Sequence, residues 1–277
     1  MKYFHVFALI LICLTAKNSF AQSNSTNKEP FVIGEIREIN STILGEKRIL
    51  NVHLPAQYDS SKSYPVIYLL DGSAQEDFLH IVGLAQFFNM QYTMPEMIIV
   101  GIANVDRKRD FTFPTTNADL KKEFPTTGGS EKFIQFIEKE LQPFITQNYK
   151  TTKDNYLIGQ SLGALLASEI LLKKPTLFNH YLIVSPSLWW DDESLLKSAE
   201  NTISKTDYAN VYVYIAVGSD EPKIMVKDAN SFYKALIKSN SKDFKVNFMR
   251  LDKENHATVL HQAINEAFRL LFPLAEK

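Results

Sequence analysis

Apolar and polar residues alternate near the start of the chain, and continuous apolar runs follow further along it. The segments FVIGEIREI (31–39) and RILNVHLP (48–55) show the alternation that is typical of strands with one face in the core. The runs PVIYLLDG (65–72) and MIIVGIANV (97–105) are mostly apolar, as expected of strands that are buried on both faces. The first two segments are therefore predicted to form an antiparallel pair, and the other two to lie in the centre of a sheet.

Strand-like and helix-like segments alternate over the rest of the chain. Residues 128–149 have apolar side chains at helical spacing, with Ser130 as a predicted N-cap. Four more strands are predicted, each followed by a helix: NYLIG (155–159), HYLIVSPS (180–187), VYVYIAVG (211–218) and FKVNFMRLD (244–252), with helices from Ser161, Asp192, about Pro222 and about Ala257. The pattern predicts one α/β domain with a mostly parallel central sheet and helices on both faces.

Composition and charge limit the partners that the chain is expected to have. Its 277 residues are 45% hydrophobic, which suits a single domain with a large core. The formal net charge is −1, so neither nucleic acid nor an anionic membrane surface is expected as a partner. The histidines of HATVLH (256–261) are five residues apart, off a single helical face and without a nearby third ligand. No metal and no cofactor is therefore expected.

The first 21 residues have the features of a secretory signal peptide. Lys2 is positively charged, residues 4–16 form an apolar run too short to span a bilayer, and Ser19 and Ala21 precede a predicted cleavage site after Ala21. An uncleaved membrane anchor is the alternative. Cys13, the only cysteine, would be removed with this segment, which fits a bacterial periplasm or outer surface. The predicted organisation is a signal peptide (1–21), a flexible leader (22–30) and one exported domain without a stable membrane anchor (31–277).

A serine flanked by glycines lies where a predicted strand meets a predicted helix. The residues GQSLG at 159–163 match G-x-S-x-G, in which a sharp turn from strand to helix needs small neighbours. Such a turn exposes the serine hydroxyl at the sheet edge, next to the positive end of the helix. Ser161 is therefore the candidate nucleophile. The alternative is an ordinary serine N-cap in a glycine-flanked turn.

A serine nucleophile needs a base to take its proton, and in this type of site the chain order is serine, acid, histidine. His256 is predicted in the loop after the last strand, whereas His261 is predicted within the last helix. The loop position allows His256 to reach Ser161, so His256 is the candidate base. The remaining histidines lie in the signal segment, too early in the chain or away from the strand ends: His5, His53, His80 and His180.

The acid that orients the histidine is expected after the strand VYVYIAVG. The segment GSDEPK (218–223) offers Asp220 and Glu221 there, and residues alone do not decide between them. Asp191 and Asp192, after the preceding strand, are reserve candidates, because some enzymes of this type draw the acid from that point.

Two backbone N–H groups are needed to stabilise the oxyanion of a tetrahedral intermediate. The N–H of Leu162, directly after the nucleophile, is the first candidate. The second is expected in the loop after the strand at 65–72, where Gly72 permits a tight approach and Ser73 follows it.

Six stretches of the chain, in order, resemble the putative-esterase branch of the α/β-hydrolases. They are YPVIYLLDGSAQEDF, DRKRDFTFPTT, GGSEKFIQFIEKELQPFI, YLIGQSLGALLASEILLKKPTLFNHYLIVSPSLWWDDE, VGSDE and ENHATV. This branch includes siderophore esterases of the enterochelin type, feruloyl and S-formylglutathione esterases, and mycolyltransferases. The resemblance covers nearly all of the predicted mature chain and is greatest to short, exported, single-domain siderophore esterases. It implies an α/β-hydrolase fold.

The resemblance also implies roles for individual residues. By it Ser161 is the nucleophile and His256 the base, and the second oxyanion donor falls on Ser73. The family's acid lies a few residues after the glycine that ends the strand, a spacing that favours Glu221 over Asp220.

The substrate side is assigned by the same resemblance. Arg107 and Arg109 match the family's substrate-side arginine segment, and Trp189 and Trp190 match its aromatic segment near the mouth of the active site. The sequence departs from the family at two positions: at Gln160 the family usually has histidine or an aromatic residue, and at Ala164 it usually has glycine.

The function predicted from the sequence is that of an exported serine esterase that acts through an acyl-enzyme on a small-molecule ester. Tryptophans and arginines together would suit an aromatic, anionic acyl group, as in siderophore trilactones or feruloylated sugars. An acyltransferase with the same triad is one alternative, and a catalytically inactive hydrolase fold used for binding is another. A Ser–His dyad that works without the acid is a third.

Overall fold

A computed structural model describes residues 28–274, in which eight strands form one sheet. The strands are β1 (Glu35–Ser41), β2 (Glu46–His53), β3 (Tyr64–Leu69), β4 (Ile98–Ile102), β5 (Thr151–Gln160), β6 (His180–Val184), β7 (Tyr212–Gly218) and β8 (Lys245–Leu251). Their spatial order is β1-β2-β4-β3-β5-β6-β7-β8. β2 pairs antiparallel with β1 and β4, and all the other pairs are parallel. The predicted antiparallel start and parallel centre are confirmed.

Helices cover both faces of this sheet. They are α1 (Phe78–Gln91), α2 (Arg107–Phe111), α3 (Ala118–Glu123), α4 (Ser130–Phe136), a π-helical segment (Ile137–Leu141), α5 (Gln142–Asn148), α6 (Leu162–Lys173), a 3₁₀ turn (Pro175–Leu177), α7 (Trp190–Ile203), α8 (Lys223–Leu236) and α9 (Val259–Leu271). Helices α4 to α8 contribute to one apolar cluster, and α1 and α9 contribute to the other.

The two-residue period of the strands divides the core between these clusters. In β3 and the residue after it, Val66, Tyr68 and Leu70 face the first cluster, while Ile67 and Leu69 face the second. All five residues of β4 are likewise buried. The central strands are therefore apolar on both faces because each face meets a layer of helices.

Several details of the helices differ from the sequence prediction, which includes neither α2 nor α3. No helix is predicted between β3 and β4, yet α1 lies there. This helix exposes Phe87 and Met90 and buries Phe88. Because apolar residues lie on both of its faces, its sequence lacks the apolar periodicity by which a helix is predicted. Ser130 is the first helical residue and Gly129 the N-cap. The π-helical segment within residues 128–149 places the Glu140 carboxylate on the N–H groups of the β1–β2 turn.

The predicted signal peptide (1–21), with its cleavage site after Ala21, lies outside the described residues. Within residues 28–274, the helices are too short or too polar to cross a membrane.

Candidate active site

Ser161 lies at a sharp turn between β5, which ends at Gln160, and α6, which begins at Leu162. Its φ of 59° and ψ of −119° are unusual for a residue with a side chain, as predicted for an exposed nucleophile. The turn requires a small neighbour, because a Cβ on Gly159 would lie 2.6 Å from the carbonyl oxygen of Gly163. The glycines of the motif therefore allow the strand and the helix to approach each other.

Three side chains form a continuous hydrogen-bonded chain at this turn. Ser161 Oγ is 3.0 Å from His256 Nε2, and His256 Nδ1 is 2.7 Å from Glu221 Oε2. The His256 side chain is 41% exposed, whereas that of Glu221 is fully buried. The structure thus brings together the predicted nucleophile, base and acid, which come from the ends of β5, β8 and β7. An accessible imidazole that is oriented by a buried carboxylate can exchange protons with a serine and a substrate.

The carboxylate of Glu221 is held on its other oxygen as well. Oε1 accepts a hydrogen bond from the Gly218 N–H at 2.8 Å and another from the hydroxyl of Ser185. Burial by itself raises the pKa of Glu221, but hydrogen bonds from His256, Ser185 and the Gly218 N–H outweigh it. The net effect lowers the pKa of Glu221 below its ordinary value of 4.5, so the group is a carboxylate at neutral pH.

The other candidate acids have different partners. Asp220 is exposed, and its Oδ1 accepts from the hydroxyl of the adjacent Ser219 at 3.0 Å. Asp191 accepts from Thr115 Oγ1 at 2.7 Å, and Asp192 accepts from Asn117 Nδ2 at 3.1 Å. The alternative base, His261, stacks on His80 with ring centroids 3.8 Å apart. The arrangement therefore favours Glu221 and His256 over these alternatives.

The two predicted oxyanion donors differ in what they contact. Leu162 is the first residue of α6, so its N–H has no acceptor within the helix. The Ser73 N–H donates to Glu76 Oε2 at 3.1 Å, and the Glu76 side chain also accepts from Asn104. Stabilisation of an oxyanion by Ser73 thus requires its N–H to leave Glu76.

Arg107 reaches the end of β5 but is engaged by a carboxylate. Its Nε and Nη2 donate to the two oxygens of Asp71 at 2.6 and 2.8 Å, and Nη2 is 3.3 Å from the main-chain oxygen of Gln160. Burial lowers the pKa of Arg107, but hydrogen bonding and attraction to Asp71 outweigh it and raise that pKa. Arg107 is therefore a charged link between the loop after β3 and the end of β5.

Arg109, predicted on the substrate side, is engaged by carboxylates in this structure. Its guanidinium donates to Asp110 at 2.8 Å and to both oxygens of Glu46, at 2.6 and 3.1 Å. Those carboxylates also accept from Arg48, whose side chain is fully buried. Arg109 belongs to this structural ion-pair cluster, because every one of its guanidinium nitrogens contacts a carboxylate.

The two tryptophans have different environments. Trp190 is buried, its Nε1 donates to the carbonyl of Phe113 at 3.0 Å, and Phe124 packs edge-on at 5.2 Å. Its assignment to the substrate side is therefore wrong, because the indole is part of the core. Trp189 is half-buried and follows Ser187 by two residues, so only this tryptophan of the pair has an indole that solvent can reach.

Sequence reasoning missed three polar residues of the site. Ser185 holds Glu221, and Ser187 Oγ is 3.3 Å from Ser161 Oγ. Gln160 Nε2 donates to the main-chain oxygen of His256 at 2.6 Å. In the sequence, these residues were indicated only by the presence of two serines after β6 and by the departure from the family pattern at Gln160. Over residues 28–274, no three acidic, histidine or cysteine side chains form a cluster that could hold a metal ion.

A sequence model of the family described as "Putative esterase" matches residues 41–271, most of the chain. The chain belongs to the Putative esterase family. It is therefore an esterase, and the predicted resemblance is confirmed.

Three known proteins are similar to this chain over most of their length. Ferri-bacillibactin esterase BesA of Bacillus subtilis (strain 168) is 30% identical over 262 residues, which cover 85% of this chain and 88% of BesA. The crystal structure of the BES protein from Bacillus cereus matches with a TM-score of 0.78 and 31% identity, over 87% of this chain and 97% of that chain. An IroE-like serine hydrolase from Shewanella oneidensis matches with a TM-score of 0.79 and 31% identity, over 86% of this chain and 80% of that chain. The predicted α/β-hydrolase fold is confirmed.

Proposed function

We propose that this esterase works through an acyl-enzyme on Ser161, with His256 as general base and Glu221 as the acid that orients it. The observation that supports this is the hydrogen-bonded chain from Ser161 Oγ through both ring nitrogens of His256 to the buried carboxylate of Glu221. An activated serine needs a base within hydrogen-bond reach and a third group that holds the base in one orientation. His256 is within this reach of Ser161, and Glu221 is the third group.

The proposed reaction has two halves. In the first, Ser161 Oγ attacks the ester carbonyl carbon while His256 Nε2 takes the hydroxyl proton. The carbon–oxygen bond to the alcohol then breaks, and Nε2 gives the proton to the departing oxygen. In the second half, water attacks the acyl carbon, passes a proton to Nε2, and the serine oxygen leaves with that proton. Throughout, Nδ1–H donates to Glu221, whose negative charge stabilises the imidazolium.

The oxyanion of each intermediate is proposed to lie between the N–H groups of Leu162 and Ser73. Leu162 adds the positive end of α6, because it starts that helix. Ser73 must exchange its bond to Glu76 for one to the substrate oxygen. Glu76 thus competes with the transition state for one donor.

Replacing Glu76 by alanine is expected to raise kcat/KM for a neutral short-chain ester about three- to tenfold. The reason is that one hydrogen bond of about 1 kcal/mol no longer has to be broken. Steady-state kinetics with p-nitrophenyl butyrate measures the effect, and Glu76→Gln, which keeps an acceptor oxygen, is the matched control. A lower kcat/KM in Glu76→Ala would instead assign Glu76 to holding the loop and remove Ser73 from the oxyanion site.

The substrate is proposed to be an aromatic ester of the siderophore trilactone class. The relative BesA is named as a ferri-bacillibactin esterase, and Trp189 is a half-buried aromatic residue two positions after Ser187, whose hydroxyl is 3.3 Å from that of Ser161. Because Asp71 already pairs with Arg107, the net charge available to an anionic substrate is small. Stacking on Trp189 is therefore expected to contribute more to recognition than ion pairing.

A labelling and hydrolysis experiment tests this function. A fluorophosphonate probe should label the wild-type protein on Ser161, and hydrolysis should be faster for a catecholate trilactone than for feruloyl or short acyl esters. Labelling without trilactone hydrolysis would retain the serine mechanism and reject the substrate class. An unlabelled protein that still hydrolyses esters would reject the mechanism itself.

The esterase is also proposed to be exported, on the basis of the signal-like segment 1–21. N-terminal sequencing of the exported protein should give a chain that starts at Gln22. A mature chain that retains Met1 would contradict cleavage at this site.

A further inference from the structure

Gln160 joins the strand of the nucleophile to the loop of the base. It is the last residue of β5, directly before Ser161, and its Nε2 donates to the main-chain oxygen of His256 at 2.6 Å. Ser161 Oγ lies 3.0 Å from the ring nitrogen Nε2 of the same histidine. Two consecutive residues therefore hold the backbone and the ring of His256.

The other bonds of the histidine loop lead elsewhere. The loop runs from the end of β8 to the start of α9, and the main chain of Glu254 accepts from the N–H of Asp220 at 3.0 Å. The N–H of Lys253 donates to the hydroxyl of Ser219 at 2.9 Å. These bonds tie the loop to the segment after β7. Among the hydrogen bonds of residues 28–274, only those of Gln160 and Ser161 tie it to β5.

The main chain of Gln160 is itself fixed from the opposite side. Its carbonyl oxygen is 3.3 Å from Arg107 Nη2, and Arg107 makes two bonds to Asp71. The half-buried side chain of Gln160 thus starts from an anchored backbone. The hydrogen bond from the Gln160 side chain to His256 therefore holds the histidine loop at a set distance from the turn that contains Ser161.

We propose that Gln160 is a positioning residue that sets the distance between His256 and Ser161. This inference rests on the proposed function of those two residues. His256 needs such a tether because its side chain is 41% exposed and, within the described part of the chain, only Glu221 and Ser161 hydrogen-bond to its ring. A displacement of the base by about 1 Å is enough to lower the rate of a positioned reaction by about 10²-fold.

The Gln160→Met variant tests the proposal, because methionine has a similar length and no donor. With p-nitrophenyl butyrate, kcat is expected to fall about 10- to 100-fold while KM changes less than about twofold. The rate of fluorophosphonate labelling should fall in parallel, since labelling also needs the base. Gln142→Met is the matched control. The Gln142 side chain donates to the main-chain oxygen of Leu177 at 3.0 Å, away from the site, so this variant should retain the wild-type kcat.

Two further substitutions separate positioning from general stability. Gln160→His supplies a ring N–H donor at a similar reach, so it should have a higher kcat than Gln160→Met. Gln160→Glu places an acceptor opposite the main-chain carbonyl of His256, so its kcat should stay low. Thermal midpoints show whether each variant is folded, and Gln160→His keeps the test valid if Gln160→Met is unstable. The inference is overturned if Gln160→Met has wild-type kcat, or if Gln160→His and Gln160→Glu are equally impaired. Full activity in Ser161→Ala would be a different failure, that of the proposed function.

Discussion

Replacing Ser161 or His256 by alanine is expected to lower kcat for ester hydrolysis by about 10⁴-fold or more. Without the hydroxyl no acyl-enzyme forms, and without the imidazole the hydroxyl that lies 3.0 Å away keeps its proton. The double variant should lose little more kcat than either single variant, because the two groups act as a unit. Steady-state kinetics on a short acyl ester, with a thermal melt for each variant, measures these effects.

The neighbouring serine provides a control for the nucleophile. Ser187 Oγ lies 3.3 Å from Ser161 Oγ, so Ser187→Ala removes a hydroxyl from the same site without removing the nucleophile. The kcat of Ser187→Ala is expected to fall by less than about tenfold, because the variant loses one hydrogen bond. If Ser187→Ala were as inactive as Ser161→Ala, the identity of the nucleophile would have to be reconsidered.

The second large effect is expected at the acid, where Glu221→Ala should lower kcat about 10²- to 10³-fold and Asp220→Ala less than about twofold. Glu221 accepts from His256 Nδ1 at 2.7 Å and fixes the orientation of the ring, whereas Asp220 is exposed. Kinetics of the two variants side by side makes the comparison. A greater loss in Asp220→Ala would show that the acid was assigned to the wrong residue, and no loss in either variant would support a Ser–His dyad.

Stability should depend on pH through the same carboxylate. Because the folded protein lowers the pKa of Glu221 below its ordinary value of 4.5, its stabilising contribution is complete above about pH 4.5. That contribution is lost as the pH falls towards the lowered value in the folded state. The free energy of unfolding of wild type should therefore exceed that of Glu221→Gln by more at pH 6 than at pH 3, as measured by urea titration at both pH values.

The sequence could predict that Ser161 and His256 lie close together, because their positions follow from chain order and sheet geometry. Parallel strands present their carboxyl ends at one edge, so residues that follow β5, β7 and β8 are brought together there. Ser161 is marked further by its glycines, since a side chain at Gly159 would collide with Gly163. His256 is marked because it lies between the last strand and the last helix.

Neighbouring acids could not be separated by chain position. Asp220 and Glu221 are adjacent, and a change of one residue directs the side chain to a different environment. The difference lies in contacts that have no local signature, namely the Gly218 N–H and the hydroxyl of Ser185 from a neighbouring strand end. Resemblance to the family favoured Glu221, and the fold supplies the physical reason.

The contacts of the predicted substrate residues could not be derived from the sequence, because charge and aromaticity do not identify a partner. Arg109 is paired by Glu46, which lies at the start of β2 and far away in sequence. Trp190 faces the Phe113 carbonyl, whereas the adjacent Trp189 is half-buried. Such long-range partners are determined by tertiary packing. A motif can therefore place a residue near the site without determining where its side chain points.

The contrast between the two tryptophans gives the protein two optical probes. The chain has only these two tryptophans, so its tryptophan fluorescence, excited selectively over tyrosine, comes from one buried indole and one half-buried indole. Emission from Trp190, which is enclosed near Phe124, reports on the integrity of the core. Emission from Trp189 responds to solvent quenchers and to an aromatic ligand stacked on it. In a Trp189→Phe background the remaining signal comes from the core alone, so each active-site variant can be checked for correct folding in the cuvette used for its kinetics.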